Sequence, residues 1–249
     1  MLFLLKGICA GGIAGFFSGL LGIGSGSIIV PFLYLLFSLP IKIAIGTSLF
    51  VIFFSSMFGF LIHLKEKNFD IKLAFLLTIG GVIGAQTGAK LTKALPDTIV
   101  KIVFIVIIVF LGFRLLISKE KKYQNDKNGY TLSVWKTFLI GFLGGVISGL
   151  CGVGGAIFLV PLVYLILKVP IKICIGTSLL VIFFNSLSGT ISYAIGGYVN
   201  YKIGIIFAIG AIIFAPIGAK ISVKTPRVLL RRIFGGFLIL TPLLLFFRK

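Results

Sequence analysis

Long apolar runs separated by short polar punctuation organise this chain. Runs such as 49–61, 73–83 and 99–117 hold few or no charges, over lengths that approach or reach the ~20 residues needed to cross a bilayer. They are continuous and show no period-two alternation, so they predict helices and exclude barrel strands. Ten segments follow: 3–21, 26–38, 41–62, 71–92 and 98–117, then 136–151, 156–168, 171–193, 201–222 and 228–247. Segment 26–38 has 13 residues, about 20 Å at 1.5 Å per residue, which is short for a full crossing. With "GIGSG" before it, the pair 3–21 and 26–38 predicts a helix that enters, breaks at a glycine turn inside the membrane and leaves through a short helix. The expected fold class is an all-α integral membrane protein with 8–10 helical membrane segments.

The pattern occurs twice. "GTSLFVIFF" at 46–54 returns as "GTSLLVIFF" at 176–184, and residues 15–56 match 145–186 at 24 of 42 positions without a gap. "GAK" at 88–90 meets "GAK" at 218–220, and Pro96 meets Pro226. The division is therefore a first repeat, 1–117, a linker, 118–135, and a second repeat, 136–249, each repeat having a glycine-broken helix pair plus three membrane helices. The polar linker stretch "SKEKKYQNDKNGYTLS" predicts no fold of its own. If each broken pair returns to its starting side, the repeats are inverted and Lys and Arg divide 16 against 8. Parallel repeats give 13 against 11. Cytoplasmic loops are enriched in these residues, so the expectation is inversion, with the linker inside and both chain ends outside. Trp135 and Tyr130 suit an interfacial anchor where the linker re-enters. The N-terminal "MLFLLKGICAGGIAG" resembles a signal peptide, but no basic residue precedes its apolar run and its end matches the start of the second repeat, so it is expected to be mature structure. Duplication inside a membrane protein points to transporter architecture, with substrate held where the repeats meet.

Composition agrees: 59% hydrophobic residues, 26 Phe and a mean hydropathy of +1.21 describe a multi-spanning membrane protein. The formal charge of +19 comes from Lys and Arg scattered in connections between apolar helices. That leaves no face to lie along a phosphate backbone, and no nucleic acid is expected. Two readings of the charge remain, cytoplasmic retention with contact to anionic lipid, or attraction of small anions to the mouth. Cys9, Cys151 and Cys174 lack pair spacing and predict small core residues. All five acids, Glu66, Asp70, Asp97, Glu120 and Asp126, fall in loops or the linker. A membrane core without carboxylates argues against cation transport and against a carboxylate proton relay. No Ser–His, Asp–Asp or His–Glu–His set lies at membrane depth, so neither an enzyme nor a cofactor is expected.

The broken segments read "SGLLGIGSGSIIVP" at 18–31 and "SGLCGVGGAIFLVP" at 148–161. A break at membrane depth leaves amide N–H groups needing partners. With the positive end of a helix dipole, such amides make an anion site that needs no basic side chain. Gly24, Ser25 and Gly26, with Gly154 and Gly155, are the candidate break residues. Thr47 and Ser48, and Thr177 and Ser178, follow Gly46 and Gly176 in paired Gly-Thr-Ser triplets, and their hydroxyls can donate to an anion or bond back to their own helix. Small residues in membrane helices also serve as packing notches, so a packing reading stands beside the binding one. Asn185, where the first repeat has Ser55, reads as a ligand donor or as interhelical glue. Gln86, matched by Pro216, reads the same way. His63, beside Lys65 and Glu66, predicts interface decoration, and Lys90 and Lys220 predict snorkelling.

Two repeats with "SGLxGxGxG/A", then Pro31 or Pro161, "GTSL" and later "GAK" resemble the TauE/SafE sulfite-exporter family of membrane permeases, over 7–117 and 137–247. The resemblance implies a multi-pass permease of a prokaryotic cytoplasmic membrane that exports sulfite, sulfonates or related small anions. Its expected partners are a small anion, membrane lipid and a second copy of the chain in a homodimer. The first break has Ser25 where the second has Gly155. A transporter of a metal ion or neutral metabolite, or a non-transporting assembly subunit, are the alternatives.

Overall fold

A computed structural model describes residues 2–22, 24–117 and 132–224. The predicted segment 228–247 and nearly all of the linker lie outside the described residues. α1 (Leu2–Leu21), α2 (Gly26–Leu36), α3 (Ile41–Lys65), α4 (Ile71–Ala94) and α5 (Asp97–Ile117) precede the linker; α6 (Val134–Cys151), α7 (Ala156–Ile166), α8 (Ile171–Ile195) and α9 (Tyr201–Lys224) follow it. Their ends lie where residues that cannot continue or can cap a helix sit. Pro40 and Pro170 precede α3 and α8, the Asp70 carboxylate accepts from Leu73 N–H at 2.9 Å to open α4, and Gly152 closes α6 in a left-handed conformation. Five of the helices are long and apolar enough to cross a membrane. With no strand among the described residues, the fold is all-α and the protein is a multi-pass membrane protein.

Two expectations fail locally. α3 runs one turn further than predicted, to Lys65, and this carries His63 inside, 3% exposed, against Gly176 of α8. Cys9 is exposed rather than core, because α1 turns its glycine face, not this residue, toward its neighbour; Cys151 and Cys174 are buried. Trp135 is 69% exposed at the start of α6 and stacks on Phe138, as an interfacial anchor would.

Helix directions follow from residue pairs. Gly59 of α3 packs against Leu179 of α8, Gly189 of α8 packs against Leu49 of α3, and Phe53 stacks on Phe183 with ring centroids 4.7 Å apart. As one number climbs the other falls, so α3 and α8 are antiparallel. Phe183 stands 130 positions after Phe53, so a pseudo-two-fold axis passes between these rings and across the helices. The equivalent helices of the two repeats thus run in opposite senses, which is the inverted arrangement. α1 lies parallel to α9, with Gly11, Gly15 and Gly19 meeting Phe207, Ala211 and Ala215. α6 lies parallel to α4, with Gly141, Gly145 and Gly149 meeting Leu77, Gly81 and Ala85. Each repeat therefore packs its first helix on the other's fourth.

Lipid tails are as apolar as leucine, so these seams depend on close backbone approach. A Cβ on Gly145 would overlap the carbonyl oxygen of Gly81. Gly145→Val should push α4 and α6 apart at a cost of about 2–3 kcal/mol. A clear drop in the thermal midpoint of the detergent-purified protein checks this; an unchanged midpoint contradicts the packing.

Candidate functional site

Gly22 and Gly152 end α1 and α6 with φ of +63° and +66°, and their N–H groups donate to the Ser18 and Ser148 carbonyls at 2.9 and 2.8 Å. Glycine takes this left-handed turn without the penalty a side chain imposes. Beyond it the two breaks touch. A Cβ on Gly24 would lie 2.7 Å from the Val153 oxygen, and one on Gly26 would overlap the Gly152 oxygen. A Cβ on Gly154 would sit 3.0 Å from Ile182 and 3.3 Å from Ile52, residues just beside Phe183 and Phe53. The interruptions thus converge near the pseudo-two-fold axis, backbone against backbone.

The Gly-Thr-Ser triplets hold this crossing. Thr47 Oγ1 accepts from Asn200 N–H at 2.9 Å, and Thr177 Oγ1 accepts from Asp70 N–H at 3.0 Å. Asn200 and Asp70 in turn cap the starts of α9 and α4 with their side chains. Ser48 donates to the Gly152 carbonyl, and Ser178 donates to the Gly22 carbonyl at 3.1 Å. Gly46 and Gly176 admit the Tyr198 and Asn68 carbonyls, which any Cβ would strike. Each triplet therefore clasps the opposite repeat twice, once at the fourth helix and once at the broken one. All four hydroxyl residues are at most 2% exposed. Thr47→Val removes an acceptor and leaves the Asn200 amide unpaired, a loss of about 0.6–2 kcal/mol. The thermal midpoint should fall, and Thr177→Val should lower it by a similar amount; unequal losses would contradict the symmetry of the clasp.

Other polar groups near the breaks have no partner among the described residues. Ser18, Ser27, Ser148 and Asn185 are fully or almost fully buried, and their side-chain polar atoms find no hydrogen-bond partner among the described residues. Ser27 lies in the first turn of α2, and Ser148 Cβ would be 3.3 Å from a Cβ on Gly155, the residue that caps the start of α7. Asn185 faces Gly81 of α4. In the first repeat the Ser25 and Ser55 hydroxyls are 3.2 Å apart; their counterparts are Gly155 and Asn185, so a hydroxyl pair is exchanged for a glycine and a carboxamide. Sequence reasoning singles out Asn185 but not Ser18, Ser27 or Ser148. Ser18 and Ser148 could have been found, since each opens the doubled "SGL" motif. Each of these groups can donate, none is a carboxylate, and no group of His, Cys, Asp or Glu among the described residues is arranged to hold a metal ion.

The family model for the sulfite exporter TauE/SafE matches residues 7–245. The chain belongs to this family. Two relatives from Bacillus subtilis (strain 168) carry the names "Probable membrane transporter protein YdhB" and "Probable membrane transporter protein YunE". They are 32% and 29% identical to this chain, with 87% of it covered in both and 89% and 88% of the relatives. A "Probable membrane transporter protein" of Methanocaldococcus jannaschii is 30% identical, covering 92% of this chain and 91% of its own. No solved structure matches. Family and fold together make this TauE/SafE member a membrane transporter.

Proposed function

We propose that the protein exports small sulfur oxyanions, sulfite or organosulfonates, across the prokaryotic cytoplasmic membrane through a site where the two breaks meet. The single observation carrying this reading is the contact between the two breaks that lead into the helix starts at Gly26 and at Ala156, with Ser27, Ser148 and Asn185 buried and without a partner among the described residues. First-turn amides at the positive end of a helix dipole favour an oxyanion. Hydroxyl and carboxamide donors complete its shell. Gly24, Ser25, Gly26, Gly154 and Gly155 give the anion backbone access, Asn185 donates to it, and Thr47, Ser48, Thr177 and Ser178 fix the crossing of the breaks around it. The arrangement corresponds to an occluded stage of alternating access, in which inverted repeats rock about a midplane site. The family name and the absence of carboxylates from the apolar segments support the same substrate class.

The test is flux from vesicles of purified protein loaded with sulfite, sulfate, an alkylsulfonate or a carboxylate. Sulfite or sulfonate should leave fastest. An interior made negative by 100 mV should speed efflux, because each charge gains about 2.3 kcal/mol on leaving. Efflux slowed by that potential, or vesicles that retain every anion, would overturn the proposal.

A further inference from the structure

The inverted repeats make two equivalent seams, α4 against α8 and α3 against α9; each holds one threonine clasp, and beyond it only the α4–α8 seam shows side-chain hydrogen bonds among the described residues. On α8, Asn185, Ser188 and Ser192 stand at spacings of three and four residues, which places them on one helical face. α4 answers them in the same order. Gly81 faces Asn185. Gln86 Nε2 donates to the Ser188 carbonyl at 2.8 Å and to its hydroxyl at 3.0 Å, while Ser188 Oγ donates to the Val82 carbonyl at 3.2 Å. Lys93 Nζ donates to the Ser192 carbonyl at 3.0 Å and to its hydroxyl at 3.2 Å. The ladder rises from Asn185 to Ser192 on α8, about 10 Å at 1.5 Å per residue, roughly a third of the hydrocarbon thickness.

In the other seam the residues 130 positions away from Ser188, Ser192 and Gln86 are Phe58, Ile62 and Pro216, and Asn185 is replaced by Ser55. The α3–α9 seam forms the same helix contact without these groups, so the repeats do not need them to stay together. A ladder of polar side chains at membrane depth is costly and calls for a different reason. Its direction supplies one. Asn185 lies one turn beyond Ile182, which packs on Gly154 of the second break, and Lys93 lies near the end of α4, on the side poor in Lys and Arg, which the charge asymmetry makes the outside. Every rung offers an N–H or O–H donor, none is a carboxylate, and the last carries a positive charge. At the outer end Lys42 donates to the Lys93 carbonyl at 3.4 Å and pairs with Asp97 at 3.2 Å. A cavity of about 340 Å³, lined in part by Ser38, Asp97 and Lys101, adjoins this pair.

We propose that the exported oxyanion leaves through the α4–α8 seam, handed from Asn185 to Ser188 and Gln86 and then to Ser192 and Lys93, while the α3–α9 seam stays sealed. As helices part, the anion takes the donors that now hold the Ser188 and Ser192 carbonyls, so the outward half of the pathway is built by one repeat pair alone. The inference rests on the anion-export reading above and adds the route.

The experiment uses single cysteines at 188, 192, 58 or 62, in a background with Cys9→Ser, Cys151→Ala and Cys174→Ala. Cysteines at 188 and 192, on the outer half, are probed in right-side-out vesicles, and those at 58 and 62, which the inversion puts on the cytoplasmic half of α3, in inside-out vesicles, both with the membrane-impermeant anionic thiol reagent methanethiosulfonate ethylsulfonate. Ser188→Cys and Ser192→Cys should react about 10-fold faster than Phe58→Cys and Ile62→Cys, since only the open seam is wetted. Sulfite should slow that reaction, and the reaction should block sulfite efflux. Gln86→Glu, which keeps size but replaces a donor with a negative charge, should lower efflux about 10-fold in protein with unchanged size-exclusion behaviour. Equal rates at all four cysteines, or no reaction at 188 and 192 in vesicles that export sulfite, overturns the route. Failure of the unmodified chain to export any oxyanion overturns the reading beneath it, and that result needs no variant.

Discussion

Gly26→Ala should cut export on the order of 100-fold, the scale of loss that follows a misplacement of about 1 Å in a geometry-dependent site. The methyl group has nowhere to go. Its carbon would overlap the Gly152 carbonyl oxygen and lie 2.6 Å from Val153 Cα, both backbone atoms of the opposite break. A flexible side chain could rotate away, but a backbone crossing has to separate. Separation pulls Gly152 from Ser48 and spreads the two helix starts that the proposed site needs together. Overpacking of this kind costs about 1–3 kcal/mol, so the protein should still insert and be purified. Gly197→Ala is the matched control. Gly197 has φ of +72°, so a methyl there is strained, but it meets no atom within 4 Å. It should lose about 1 kcal/mol of stability and keep its flux. Wild-type export by Gly26→Ala would mean that contact between the breaks is not part of the transport site.

The sequence makes the frame of this protein readable because its signals are local. Pro40, Pro170, Gly22 and Gly152 mark helix ends by what their backbones can and cannot do, and nine predicted segments fall within three residues of the observed helices. The duplication shows through identity at a fixed shift, and inversion shows through the side on which Lys and Arg accumulate. What touches what is not local. The Gly-Thr-Ser triplets read equally well as notches or as binding groups; the structure makes them clasps, because Asn200 and Asp70 arrive from more than 100 residues away to meet Thr47 and Thr177. His63 reads as a surface residue from its charged neighbours, yet it is buried, since packing against Gly176 depends on how the repeats cross. The ladder on α8 is partly legible from its three- and four-residue spacing; its partners on α4 are not.

Asn185→Leu should raise the thermal midpoint while lowering export about 10-fold or more, a trade that separates a ligand donor from interhelical glue. Neither polar atom of Asn185 has a hydrogen-bond partner among the described residues, and the residue is fully buried. An unsatisfied carboxamide costs about 1–3 kcal/mol, and a leucine side chain facing Gly81 removes that cost. If Asn185 were glue, its replacement would break bonds and the midpoint would fall. In the proposed site this carboxamide, without a partner among the described residues, serves the anion, and its loss should appear in flux. Asn185→Ser places the first repeat's residue in the second and restores one donor at smaller volume, so its export should lie between that of Asn185→Leu and wild type. An Asn185→Leu protein that is less stable than wild type, or that exports at the wild-type rate, would return Asn185 to a structural role and remove the inner end of the proposed route.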